Sequence, residues 1–325
     1  MSDLMSPLQR RVRQLGPIAD HLGLIAVLII MAVVFAALTH GSGNFLNAQL
    51  PATIANRIPK EIILAIGMTF VLLIGGIDLS VGSVMALAGA TAAWLMVEQG
   101  CGLTVAIPAC LAVGVLGGLL SGWIAVRWRL PSFIVTLGMF EVAGGFAEQI
   151  ANPTISIDPV VTAPLSTAIG GFALTTPIAL LLVVAAQVVV SCTVFGRHLI
   201  AIGTNEEAVR LSGIRTEPLK IAVFVISGLC AALAALVSIS ETSTADPNAG
   251  GGAELRAIAA AVIGGTSLMG GRGSMVGALL GVLIMEVLGY GLTAMDVRTP
   301  AQRVVTGAVI IIAVIIDHYR RRMHR

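Results

Sequence analysis

Apolar residues in this chain come in long runs, separated by short stretches of polar residues, glycine and proline. Runs of spanning or near-spanning length fall at about 22–39, 60–75, 81–97, 104–126, 131–150, 177–195, 219–240, 254–269, 274–293 and 301–316. A bilayer-spanning helix needs about 20 such residues, so the pattern predicts an all-α integral membrane protein with about ten transmembrane helices. The second and eighth runs are short and end in glycine-rich stretches, which predicts that some helices are broken or re-entrant. The chain then divides into an N-terminal segment 1–21, a transmembrane domain 22–316 and a basic tail 317–325.

An even number of spans puts both termini on one side, and the basic residues choose that side. With the N-terminus in the cytoplasm, Arg57, Lys60, Arg256, Arg298 and Arg303 fall outside, and the remaining 14 of the 19 Lys and Arg fall inside. The largest outside loop, Ala151 to Thr176, has neither. Both termini are therefore expected to be cytoplasmic. The run from Leu22 to Leu38 is longer than the roughly 7–15 residues of a cleaved signal core, and it reads as an uncleaved first span.

The longest cytoplasmic interruption is 196–218, GRHLIAIGTNEEAVRLSGIRTEP. Within it Asn205 can cap a short helix that carries Glu206 and Glu207 in its first turn, where the helix dipole favours acids, and Gly213 can end it. Ala208, Val209 and Leu211 would give that helix an apolar contact surface, and Arg210 a charged rim. Two roles remain open from the residues alone: docking to a soluble partner, or a structured connector with none.

Composition narrows the function classes. The chain is 57% apolar and 11% charged, against about 45–50% and 25% in soluble proteins. That excludes a soluble enzyme, a disordered regulator and a nucleic-acid binder. The formal net charge of +2 points to no polyanionic partner. Cys101, Cys110, Cys192 and Cys230 form no C-x-x-C or Cys/His cluster and read as small apolar residues. There is no P-loop, no H-E-x-x-H and no G-x-S-x-G, so no catalytic set can be assembled and the chain is not expected to be an enzyme. An ion-coupled carrier would need ionisable groups deep in several spans, and the candidates Asp78, Glu141, Glu148 and Glu286 are thinly spread.

Glycine recurs every four residues at Gly114, Gly118 and Gly122 and again at Gly277 and Gly281, a pattern that lets helices approach closely. Two other stretches look alike: Gly75 to Ser83, with Asp78, Ser80 and Ser83, and Gly264 to Ser274, with Thr266 and Ser267. Paired glycine-interrupted segments in the two halves of a transporter point to a translocation path, although each stretch also reads as a tight cytoplasmic turn.

Four motifs in order carry a resemblance that covers nearly the whole chain. They are Ala65-Ile66-Gly67-Met68-Thr69 running into 75–83, and Pro131 to Gly138. The other two are Gly196-Arg197 with 201–208 and 211–214, and Glu254-Leu255 with 257–268 and 270–273. The chain resembles the inner-membrane permease subunits of ribose-type carbohydrate ABC importers. That resemblance implies a multi-pass protein of the bacterial inner membrane that moves a ribose-like monosaccharide or related polyol inward. Its implied partners are a cytoplasmic ABC ATPase subunit, an extracytoplasmic sugar-binding protein, a second permease copy (identical or paralogous) and the lipid bilayer. ATP and Mg would be bound by the ATPase, with no cofactor on this chain. It also implies that Asn205, Glu206, Glu207, Ala208, Arg210, Leu211, Ser212 and Gly213 form the ATPase-coupling helix, which favours docking for the 196–218 loop.

A neutral sugar suits a path with few fixed charges, and the path candidates are Asp78, Ser80, Ser83, Thr136, Glu141, Thr266 and Ser267. Two positions depart from the family's pattern. Gly144 stands where an Arg is common, and Arg256 stands where an Asp is common. Both fall toward the outer half of the path and bear on the substrate. The competing readings are a permease of the branched-chain amino-acid type, which would carry zwitterions, and an ion-coupled secondary carrier.

Overall fold

The computed structural model describes residues 7–39, 45, 50–163, 165, 168–169 and 172–323. The first six residues of the N-terminal segment and the last two of the basic tail lie outside the described residues. In chain order the elements are α1 (Pro7–Leu38), α2 (Leu50–Leu73), α3 (Val81–Val97), α4 (Leu103–Arg127), α5 (Ser132–Ala151), β1 (Ile155–Ser156), α6 (Pro159–Thr162), β2 (Ala168–Ile169) and β3 (Phe172–Ala173). They continue with α7 (Thr175–Cys192), α8 (Val194–Leu211), α9 (Thr216–Thr242), β4 (Thr244–Ala245), α10 (Ala253–Ile263), α11 (Met275–Ala294) and α12 (Thr299–Met323).

Among the described residues, six helices are long and apolar enough to cross a membrane: His21–Leu38 within α1, then α4, α5, α7, α9 and α11. Val81–Val97 and Thr299–Ile315 are shorter apolar helices. The two runs that the sequence marks as short differ in kind. Helix α2 reaches 24 residues by starting ahead of its apolar run, through a turn that carries Arg57, Lys60 and Glu61. Helix α10 has 11 residues, about 16 Å at 1.5 Å per residue, half of a bilayer core of about 30 Å.

Helix α2 is apolar all round from Ile62 to Leu73, and every residue of that stretch is buried. Helix α9 packs against α2, α3 and α4. Its contact with α4 is close enough that a Cβ on Gly114 would meet the Gly228 carbonyl, and one on Gly118 would meet the Phe224 carbonyl. Each methyl there would force the backbones apart, so the four-residue glycine spacing sets the helix separation. On the other side of the molecule Gly277 and Gly281 of α11 lie against the backbone of Gly264 and Ala260 in the same way.

Short strands organise the 151–176 loop. β1 pairs antiparallel with β4, Ile155 opposite Ala245, so the loop is tied to the link that feeds α10. β2 and β3 form a two-residue hairpin pairing nearby.

Candidate functional site

Between α2 and α3 the chain leaves the helix for residues 76–80, and a non-helical backbone inside a membrane protein must find partners for its polar groups. Side chains of α5 supply several of them. Ser132 Oγ accepts from the Ile77 N–H at 2.9 Å, and Thr136 Oγ1 accepts from the Leu79 N–H at 3.0 Å. The Thr136 hydroxyl also lies 3.2 Å from the Ile77 carbonyl, to which it donates. Ser132 and Thr136 are one turn apart on α5, so a single helix face holds the segment.

Asp78 completes the fastening. Its Oδ1 accepts from the Ser80 N–H at 3.0 Å and the Ser80 hydroxyl at 2.6 Å, and its Oδ2 accepts from Ser227 of α9 at 2.7 Å. Asp78 is 2% exposed and Thr136 is fully buried. Ser83, also buried, donates to the Ser80 carbonyl at 3.1 Å. Three of the path candidates, Asp78, Ser80 and Thr136, are thus brought together as internal supports of one segment.

The second glycine-rich stretch is wired differently. The Ser267 N–H donates to the Arg272 carbonyl at 2.9 Å, and the Ser267 hydroxyl donates to the Gly270 carbonyl at 2.9 Å, so the turn closes on itself. Thr266 is fully buried, and its hydroxyl has no hydrogen-bond partner among the described residues. The two stretches touch: the Gly271 N–H donates to the Leu73 carbonyl at 2.9 Å, and Gly75 and Gly270 are in backbone contact. Gly203 of α8 sits against the same Leu73 and Gly270–Gly271 backbone. Glycine is required there because any side chain would collide with main-chain atoms on two sides.

Glu141 lies on the exposed face of α5, at the middle of the helix, away from the buried candidates. Gly138 and Gly145 on α5 have open space where a side chain would stand, and Leu137, Val142 and Phe146 are exposed beside them. A carboxylate facing lipid at this depth costs about 2.5–3.5 kcal/mol on insertion scales. Water or protein is the physically favoured neighbour of this face. Of the two departures, Gly144 stands beside Ser83, and Arg256 is paired with Glu61 of α2, Nε to Oε1 3.3 Å.

In the 196–218 loop, α8 is broken at Asn205, whose backbone is extended at φ −161° and ψ 95°. The Asn205 Oδ1 accepts from the Ala208 N–H at 3.0 Å, as a helix N-cap should. The turn ends where Gly213 takes φ +81° and its N–H donates to the Arg210 carbonyl at 2.9 Å, a left-handed C-terminal stop. The expected short capped helix is present.

Its two acids have separate fates. Glu206 turns inward, accepting from Thr216 Oγ1 at 3.0 Å and from Lys220 Nζ at 3.0 Å. Partial burial raises its carboxyl, but the Lys220 hydrogen bond and charge, with the Thr216 hydroxyl, outweigh this and hold it below the ordinary glutamate range. Glu207 is 69% exposed and stands 3.6 Å from Arg210. Val209 is buried, whereas Ala208 and Ser212 are exposed and Leu211 is 81% exposed. The outward surface is therefore Glu207, Ala208, Arg210 and Leu211.

Sequence reasoning missed the residues that receive these groups. Ser132, Thr216 and Lys220 are polar residues near the starts of α5 and α9, and Ser227 lies in the middle of α9; Ser132 belongs to the Pro131–Gly138 motif, but its role as a receiver is not marked in the local pattern. Gln187 of α7 is an interhelical support: its Oε1 accepts from the Met275 N–H at 2.9 Å and so covers the start of α11. Among the described residues no group of three or more His, Cys, Asp or Glu is placed to hold a metal.

The family described as branched-chain amino acid transport system / permease component matches residues 50–314. The ribose import permease protein RbsC of Escherichia coli (strain K12) is 38% identical over 312 residues, covering 93% of this chain and 94% of that protein. The Bacillus subtilis (strain 168) RbsC is 35% identical over 316 residues, covering 94% and 93%. The xylose transport system permease protein XylH of Escherichia coli (strain K12) is 36% identical over 363 residues, covering 92% of each chain. No solved structure matches the chain.

Proposed function

The chain belongs to the branched-chain amino acid transport system / permease component family, and from that premise we propose that it is the multi-pass inner-membrane subunit of a binding-protein-dependent ABC importer for a ribose-like monosaccharide or related polyol. The observation that carries this reading is similarity along more than nine-tenths of the chain to permeases named for ribose and xylose. A branched-chain amino acid cargo is not favoured, because these full-length relatives are named for sugars. The energy source is a cytoplasmic ATPase that hydrolyses ATP with Mg, and sugar is delivered by an extracytoplasmic binding protein. About ten crossings with both termini in the cytoplasm fit the charge distribution, with α10 as a half-length descent from the outside.

In this reading the ATPase seats on the capped turn, where Leu211 enters an apolar pocket of the partner and Glu207 and Arg210 form the polar rim. Glu206 holds the turn against α9 and does not face the partner. The exposed α5 face around Glu141 borders the path and meets a second permease copy, identical or paralogous. Asp78, Ser80, Ser83, Thr136 and Ser267 shape the path from behind it, and Thr266 has a hydroxyl free to accept or donate.

The test is ATP-driven uptake of ribose and xylose by the chain reconstituted with the ATPase and binding protein encoded beside it. Leu211→Asp should abolish uptake and release the ATPase from the membrane while leaving the permease folded. Uptake by the chain alone under an ion gradient would overturn the importer reading in favour of a secondary carrier.

A further inference from the structure

The 264–274 turn is closed by Ser267 and reaches α2 through one backbone contact, from the Gly271 N–H to the Leu73 carbonyl. Residues 76–80 make local bonds as well, at Gly76 and Ser80, but are fastened in addition by side chains of two distant helices. The Ile77 and Leu79 N–H groups and the Ile77 carbonyl are held by side chains of α5, and the Asp78 carboxylate by Ser227 of α9, so this non-helical segment bridges two helices that are distant in the chain. We propose that the Gly76–Ser80 segment is the joint that carries displacement of the ATPase-docking loop to α5, with Asp78 and Ser227 fastening it to α9, and Ser132 and Thr136 fastening it to α5. This rests on the importer reading above.

The route is continuous in named contacts. Glu206 of the docking turn grips Thr216 and Lys220 in the first turns of α9. Ser227, 11 residues beyond Thr216 and about 16 Å along the helix axis, grips Asp78. A second contact reaches the same place, because Gly203 of α8 lies against Leu73 and Gly270, and Gly75 lies against Gly270. Helix α9 is so close to α4 that local bending would drive Gly114 and Gly118 into its carbonyls, so it transmits motion as a rod. The receiving helix, α5, is held by the segment at its first turns and packs on α3 and α4, while its Glu141 face meets no other helix among the described residues of the same chain, so a push at its first turns can tilt it toward that face. Asp78, Ser227 and Thr136 are positioning residues here, acting through the segment and not on the sugar.

The experiment uses the full complex in proteoliposomes, with Cys101 and Cys192, the two accessible cysteines, replaced by serine and a reporter thiol introduced as Gly145→Cys on α5. Reaction of that thiol with a water-soluble maleimide is compared without nucleotide and after trapping with ATP and vanadate, alongside ATP hydrolysis and ribose uptake. The parent should label differently in the two states. Ser227→Ala and Thr136→Val should keep ATP hydrolysis, lose the nucleotide-dependent difference and transport about tenfold less, the factor expected for one lost buried hydrogen bond. Thr136→Ser, which keeps the hydroxyl, should restore both. Ser240→Ala removes another buried hydroxyl of α9, one that bonds only to the Val237 carbonyl, and should behave as the parent. Parent-like labelling and uptake in Ser227→Ala and Thr136→Val would overturn the joint alone, as would an equal loss of hydrolysis, uptake and folded protein in those variants and in Ser240→Ala. A parent complex whose labelling ignores nucleotide would overturn the importer reading, and the joint with it.

Discussion

Helix α9 holds two carboxylates, and the two contacts are built on opposite principles. Asp78 is buried and is held by neutral donors alone, two hydroxyls and one backbone N–H. Glu206 sits at the surface of the 196–218 loop and is held by a lysine and a threonine, with its side chain 39% exposed. In the interior no water replaces a lost partner, so every donor to Asp78 must be present at once. At the rim, water and salt compete with Lys220, so the contact can open and close at small cost. A permanent fastening is placed inside and a releasable one outside, which is the order an externally driven machine requires.

The comparison breaks most easily at its buried end. Asp78→Ala would leave the Ser80 and Ser227 hydroxyls and the Ser80 N–H without their acceptor, a loss of about 3 kcal/mol or more in an interior without water. Little folded protein should survive detergent extraction, as read by size-exclusion profile.

Glu206→Gln should lower stability by about 1 kcal/mol or less, because the contact is partly exposed. The difference between Glu206→Gln and the parent should shrink in high salt. Its pH dependence follows from a carboxyl held below its ordinary value. Such a group stabilises the fold above the unfolded glutamate pKa of about 4.3 and loses that contribution as pH falls through the lower folded value. The melting-temperature gap between parent and Glu206→Gln should therefore hold from neutral pH down to the glutamate range, and close only below it.

Glu207→Lys touches neither contact. Stability should stay within about 0.5 kcal/mol of the parent, while affinity for the ATPase falls because the rim charge is reversed. If Glu206→Gln weakened ATPase binding more than Glu207→Lys, the division of labour between the two acids would be wrong.

Much of this was legible in the residues. Apolar run lengths placed the long helices, since a bilayer accepts little else at those lengths. The shortness of the eighth run anticipated the 11-residue α10, and the four-residue glycine spacing anticipated the α4–α9 and α10–α11 contacts. Asn205 and Gly213 marked both ends of the capped turn, because capping and left-handed stops depend on residues within three or four positions. The different surroundings of the neighbours Glu206 and Glu207 were not legible, for a plain reason. A 100° rotation per residue separates neighbours on a helix, and which one meets α9 depends on how the turn is seated. The likeness of 75–83 and 264–274 also proved local, because identical turn chemistry is compatible with being held by distant helices or with closing on itself.

What the sequence determined alone is the solvent, the helical class and the capped turn between Asn205 and Gly213, all properties set by composition and short-range spacing. Tertiary structure alone decided that Asp78 meets Ser227, 149 positions away, and that Thr136 holds the Leu79 N–H. It also decided that Arg256 meets Glu61 and that Glu141 is left on an open face. Those pairings depend on which helices lie side by side, and a single side chain carries no record of its neighbour's address.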